Sequence, residues 1–308
     1  MDSPLVITLG TLGAVASGRS ARALLDALPG AEHLAEQFTH IQAETLCLQP
    51  NAALDFKLLL RVMLWARERI AAGAGAVILV MEGDSLEECG YFFDLLWDLD
   101  APLLLTDGAD NLSACVTAAL DPDSGHRGAL IVIAEQIHSA VHFGALIAAR
   151  EAPLSATPLG PVGVVQAGRC RYFRPPPLRF ALAMPVFIEH RVALLEACLC
   201  ADTDLLEQTV ALQYSGLVVA AQGDGQVSAP WARGLERVAD EIPVVIAARN
   251  GPQGVPQGVS QRGDQKNPLA ARGLLSAGCL SARKARVRLW LLIAAGADVR
   301  EEFAGSFR

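Results

Sequence analysis

The feature that most constrains this 308-residue chain is a regular alternation of short apolar runs with segments whose apolar residues recur at helical spacing. Residues 5–9, 45–48, 76–81, 102–106 and 129–133 read as strands. Between them lie "LDFKLLLRVMLWARERIAAG", "SLEECGYFFDLLWDL" and "NLSACVTAALD", each apolar along one helical face. A strand–helix–strand series returns the chain to the same end of the sheet, so neighbouring strands run parallel. The expected fold is therefore α/β, with a mainly parallel sheet and any site at the carboxyl ends of its strands. Asp84 or Ser85 is expected to cap the second of these helices and Asp110 the third, with Glu87 and Glu88 favouring the positive end of the helix dipole.

After Pro161 the texture changes. "GRCRYFRPPPLRFALAMP" holds three consecutive prolines and cannot be a continuous helix, which marks an interdomain connection. The expected organisation is a larger α/β domain over 1–168, a linker over 169–189 and a smaller α/β domain over 190–308. The second series places strands at 192–197, 216–221 and 243–248, helices at 202–212 and 229–240, and a closing helix in "SARKARVRLWLLIAAG". "NGPQGVPQGVSQRGDQKNP" is too rich in Gly, Pro and Gln for regular structure and reads as a loop.

A net charge of −8 and the lack of a basic stripe point away from nucleic acid and anionic membranes. The densest positive run, "SARKARVR", reads as a solvated helix face. No apolar stretch reaches membrane-spanning length and no basic region precedes the first hydrophobic residues, so neither a membrane span nor a signal peptide is expected. Seven scattered cysteines in apolar context predict reduced core thiols in a cytoplasm rather than a disulfide framework. Cys198-Leu199-Cys200 is half a metal site without a second half. His138, His142 and Glu135 form H-x-x-x-H with a carboxylate, which needs a helix to converge on a metal. "GDGQVS" lacks both a P-loop lysine and a dinucleotide fingerprint. Neither metal nor cofactor is expected.

Near the start, "LVITLGTLGAVASG" is an apolar strand running into small and hydroxylated residues. This stretch resembles the A-T-G-G-T-I strand–loop of the bacterial L-asparaginase/glutaminase family. Further segments are similar to that family in the same order. "AVILVMEGDSLEECGYFFDLL" resembles V-V-I-T-H-G-T-D-T-M-E-E-T-A-Y-F-L-D-L, and "DGADNLSACVTAALD" resembles D-G-P-x-N-L-x-x-A-V. "PLGPVGVVQAGRCRYFRPP" is similar to G-P-L-G-x-I, "LVVAAQGDGQVS" to L-V-I-x-G-x-G-x-G-N-V-P, and "LLSAGCLSARKARVRLWLLIAAG" to G-D-L-x-P-x-K-A-R-x-x-L-x-L-A-L.

The resemblance implies a two-domain fold and amide hydrolysis by a threonine nucleophile. A second threonine would work with a distant lysine on the proton, and the aspartate that follows it would hold the substrate's amino group. Such a hydroxyl, with a pKa far above 7, attacks only when a base takes its proton and donors receive the oxyanion. Carried onto this sequence, the nucleophile falls on Thr8 and the aspartate on Asp84, while the second threonine falls on Gly83. The lysine, reached through "LIVIAEQIHSAVHFGA", falls on Ala145, and no lysine occurs between Lys57 and Lys266. Glu82 replaces a family glycine, as a substitute base or as a charge that repels anions.

Other groups are missing as well. The lid that brings a tyrosine is shortened, "LQPNAAL" has no hydroxyl for a substrate carboxylate, and the G-A-M-R-P segment before D-G-P-x-N is absent. Gln226 stands for the asparagine of G-N-V-P. The expected site is thus Thr8 and Glu82 as vestigial or rewired catalytic groups, with Thr11, Asp84, Ser85 and Gln226 facing a small amino-acid-like ligand. The leading expectation is a protein without standard L-asparagine hydrolysis, acting as a ligand-binding, structural or partner subunit. It would form a homodimer or homotetramer, or pair with an intact relative. The competing expectation is an active amidohydrolase using Thr8 with Glu82 or Asp84.

Overall fold

A computed structural model of the chain describes residues 6–12, 21–26, 40–48, 53–108, 110–144, 160–249 and 272–304. The chain divides into two compact units, Met1–Ala181 and Leu182–Arg308. The lid segment, Ala145 and the 250–271 loop lie outside the described residues.

The first unit holds an eight-stranded sheet. Its strands are β1 (Val6–Thr11), β2 (His40–Thr45), β3 (Ala74–Met81), β4 (Leu103–Asp107), β5 (Ala129–Ile133), β6 (Gln136–Ser139), β7 (Gly163–Gln166) and β8 (Arg169–Tyr172), in the order β2-β1-β3-β4-β5-β6-β7-β8. Strands β1 to β5 pair in parallel, as their helical crossovers require, whereas β6, β7 and β8 add antiparallel. The helices are α1 (Ala21–Asp26), α2 (Phe56–Ala71), α3 (Leu86–Leu96) and α4 (Leu112–Leu120). On one face of the sheet Ile7, Leu9, Ile78, Val80 and Leu104 pack with Leu112, Cys115 and Val116 of α4.

Three expectations are corrected here. Strand β2 is His40–Thr45, not 45–48. The hairpin of β7 and β8 carries the first unit past residue 168, because Gly163–Gln166 and Arg169–Tyr172 pair edge to edge. Both the N-cap position of α4 and the polar contacts there belong to Asn111 rather than Asp110.

Beyond β8 the chain stays fastened to the first unit. The Arg127 guanidinium lies 3.9 Å from the centre of the Tyr172 ring and donates to the Arg174 carbonyl at 2.9 Å. Arg179 then reaches the buried Asp94 carboxylate at the end of α3.

His138 is buried on β6, edge-on to Phe143, and His142 lies in the turn that follows. The strand geometry keeps the two imidazoles from facing one another as they would on a helix. Burial pushes the His138 pKa down to about 4. The unfolded chain therefore takes up a proton near pH 6.5 that the folded chain refuses. Stability is full above pH 6.5 and falls as the pH drops toward 4. Between pH 7 and pH 5 the expected loss is about 2 kcal/mol, and urea midpoints of the parent and His138→Phe compared at both pH values check it.

The second unit is a parallel sheet in the order β12-β11-β10-β9, made of β9 (Val192–Glu196), β10 (Gly216–Ala221), β11 (Val244–Ala248) and β12 (Leu275–Ser276). Its helices are α5 (Asp204–Ala211), α6 (Ala229–Ala239), α7 (Ala282–Ala295) and α8 (Val299–Ala304). The basic run at the start of α7 is not a solvated face. Lys284, Ala285 and Val287 are buried, Arg286 donates to the Val192 carbonyl and Arg288 pairs with Glu302. The Arg288 guanidinium also donates to the Glu302 carbonyl and lies 5.5 Å from the centre of the Phe303 ring.

All seven cysteines carry thiols. Cys89 and Cys115 are buried, and burial raises the pKa of both, that of Cys89 to about 12. Cys198, Cys200 and Cys279 are exposed, contrary to the expectation that all are core residues.

Candidate functional site

In a sheet wound this way the loops that follow the parallel strands meet at the carboxyl ends of those strands. Four of the expected residues, Thr11, Glu82, Asp84 and Ser85, belong to that end of the first unit.

Thr11 is the last residue of β1, in register with Thr45 on one side and Val80 on the other. Its backbone is pinned from both sides, since the Thr11 carbonyl accepts from the amides of Leu46 and Cys47, and the Leu12 amide donates to Val80. Its hydroxyl is buried and makes no hydrogen bond.

Thr8 does not reach this end. It pairs with Gln42 and Val77 in the middle of the strand. Three residues at strand rise place it about 10 Å below Thr11. Side chains alternate along β1, so Thr8 shares the face of Gly10, whose missing Cβ would meet Leu46 and Trp65 of α2. The residue expected as nucleophile, Thr8, thus stands in mid-strand, away from the loops. The strand-end hydroxyl is that of Thr11.

Strand β3 ends at Met81, and Glu82, half-buried, opens a single 3-10 turn over Gly83–Ser85 that leads into α3. The Glu82 carbonyl accepts from the Ser85 amide at 3.1 Å, which fixes this turn. Asp84 is exposed, and neither it nor Ser85 caps α3 through its side chain; Ser85 holds the N-cap position by backbone alone. The capping role expected of them is thus absent, while Glu87 and Glu88 do lie in the first turn of the helix.

The residue that sequence reasoning missed is Asp107, the last of β4, in register with Met81. One carboxylate oxygen, Oδ2, lies 3.1 Å from where a Cβ on Gly83 would stand. The other, Oδ1, accepts from Asn111 Nδ2 at 2.8 Å, and Asn111 Oδ1 accepts from the Ala134 amide at 2.8 Å. Behind them Thr106 donates to the Val132 carbonyl at 2.7 Å. A polar chain therefore links the ends of β4 and β5. Asp107 ends β4 where "PLLLT" runs straight into "DGADN", and no residue pattern names its target.

Gln226 belongs to the second unit, where it is exposed in a tight turn after β10 and its amide donates to the Gln222 carbonyl at 2.8 Å. Among the described residues no three His, Cys, Asp or Glu side chains gather as a metal site.

Comparisons with known proteins agree with this frame. The N-terminal asparaginase domain model matches residues 5–178, and the glutaminase/asparaginase C-terminal domain model matches residues 191–303. A probable L-asparaginase of Deinococcus radiodurans is 32% identical over 77% of this chain and 77% of its own length. A probable periplasmic L-asparaginase of Haemophilus influenzae is 26% identical over 68% of this chain and 63% of its own. The crystal structure of a probable cytoplasmic L-asparaginase from Campylobacter jejuni superposes with a TM-score of 0.82 at 19% identity, covering 98% of this chain and 99% of that one. Two domain models in series, and a relative of this identity over most of both chains, place the protein in the asparaginase/glutaminase family.

Proposed function

We propose that this member of the family does not carry out standard L-asparagine hydrolysis and acts as a small-ligand-binding or partner subunit. The observation that carries the reading is the β3–β4 corner. Position 83 has no hydroxyl, and an Asp107 carboxylate oxygen stands 3.1 Å from where a side chain at 83 would begin. A threonine hydroxyl such as that of Thr11 needs a base to attack an amide. The lysine of the family mechanism is Ala145, and no lysine occurs between Lys57 and Lys266 to replace it. Among the described residues the charged side chains at this end of the sheet include Glu82, Asp84 and Asp107, all acidic. Such a set holds an ammonium group more readily than it activates a nucleophile toward an anionic amino acid.

The strand-end position of Thr11 favours the second reading, an amidohydrolase in which Glu82 receives the Thr11 proton. Ammonia release from L-asparagine and L-glutamine separates the two. The proposal expects none above the blank, together with a thermal shift by an amino acid or amide that is lost in Asp84→Ala.

The proposal further assigns the protein to the cytoplasm, consistent with its seven thiols, and assigns it a homo-oligomeric state or a pairing with an intact relative. Among the described residues no helix is long and apolar enough to cross a membrane. Light scattering of the purified chain, alone and mixed with an active relative, reads the assembly.

A further inference from the structure

We infer that Asp107 is the residue that shapes the β3–β4 corner of this site and keeps position 83 a glycine. The inference rests on the proposed loss of the hydroxyl at position 83, and it names the side chain that an added group there would meet.

The backbone at Gly83 does not itself call for glycine. It is the first residue of an ordinary 3-10 turn and lacks the positive φ that marks Gly108 or Gly128. An added Cβ would meet one neighbour, the Asp107 side chain, with Oδ2 at 3.1 Å, Cβ at 3.8 Å and Cγ at 3.9 Å. The 3.1 Å contact is closer than carbon and oxygen normally pack.

A surface carboxylate would swing aside, but this one is held. Asn111 Nδ2 donates to Oδ1 at 2.8 Å and to the Asp107 carbonyl at 3.3 Å, and Asn111 is itself fixed by the Ala134 amide. Moving Asp107 to admit a side chain at 83 would work against the bonds that Asn111 makes to it. A hydroxyl donates and accepts, whereas an ionised carboxylate only accepts. A threonine placed at 83 alone would therefore meet a carboxylate that Asn111 already holds in place.

A double-mutant cycle tests this through thermal stability, which does not depend on any turnover. Gly83→Thr is expected to lower Tm by about 3 °C in the parent background and by less than half of that in Asp107→Ala. Gly83→Ala, which adds only the Cβ, gives the same pattern at smaller amplitude and serves if the threonine variant does not fold. Equal losses in both backgrounds would overturn the role of Asp107. Ammonia release by the parent protein would overturn the proposed function while leaving this coupling intact.

Discussion

Asp94→Ala should lower the stability of the first unit by about 3–5 kcal/mol, the scale for removing one partner of a buried ion pair. Asp94 is 3% exposed on the last turns of α3. Its Oδ1 accepts from the Ala129 amide at 2.9 Å and from Arg179 Nη2 at 2.9 Å. Arg179 in turn donates to the carbonyls of Asp94 and Trp97, two of the carbonyls that α3 leaves without helical partners. Alanine removes the counter-charge and strands both the guanidinium and the amide that opens β5. Asp94→Asn keeps an acceptor and should cost less than half as much. Urea unfolding followed at two probes, one in each unit, reads the effect separately for the first unit. A loss under 1 kcal/mol would show that the pair is solvent-relieved.

Gly128→Ala should be similarly severe, at about 3–4 kcal/mol, because two penalties coincide. The residue sits at φ 75°, in the left-handed region that a side chain resists. A Cβ there would also fall on the Arg179 guanidinium and the Asp94 carboxylate, inside contact distance of both. The two parts can be told apart. Arg179→Ala removes much of the obstacle, so Gly128→Ala in that background should show mainly the backbone penalty, about 1–2 kcal/mol. Equal losses in the two backgrounds would show that Arg179 is no part of the obstacle, leaving the backbone and the Asp94 carboxylate.

Both predictions concern a fastening invisible in the linear pattern. The run "GRCRYFRPPPLRF" announces an end to helices through its prolines, and a domain boundary near 168 is the natural reading. Nothing in that composition says that Arg169–Tyr172 completes an antiparallel hairpin, or that Arg179 reaches back to Asp94, 85 positions earlier. Periodicity reports the local face of an element, and these are long-range pairings. The parallel strands were legible because burial on both faces leaves a continuous apolar run, as at 76–81.

The site shows the same division. Gly83 and Ala145 could be read as losses from motif order alone. The hydroxyl at the strand end could not be separated from its neighbour three residues earlier until the register was known. Thr8 and Thr11 lie in one short strand, and only the pairing of Thr11 with Val80, against that of Thr8 with Val77, decides which reaches the loops. The basic run of α7 misled for a related reason. Lys284, Arg286 and Arg288 look like a wet face until the β9 carbonyl and Glu302 that receive two of them are in place.

The measurement that bears most directly on the proposed function is ammonia release from L-asparagine and L-glutamine by the purified protein, beside its Thr11→Ala variant. Parent and variant are both expected to be indistinguishable from the buffer blank. Steady release by the parent that disappears in Thr11→Ala, while Thr8→Ala retains it, would contradict the account and establish an amidohydrolase with a rebuilt base.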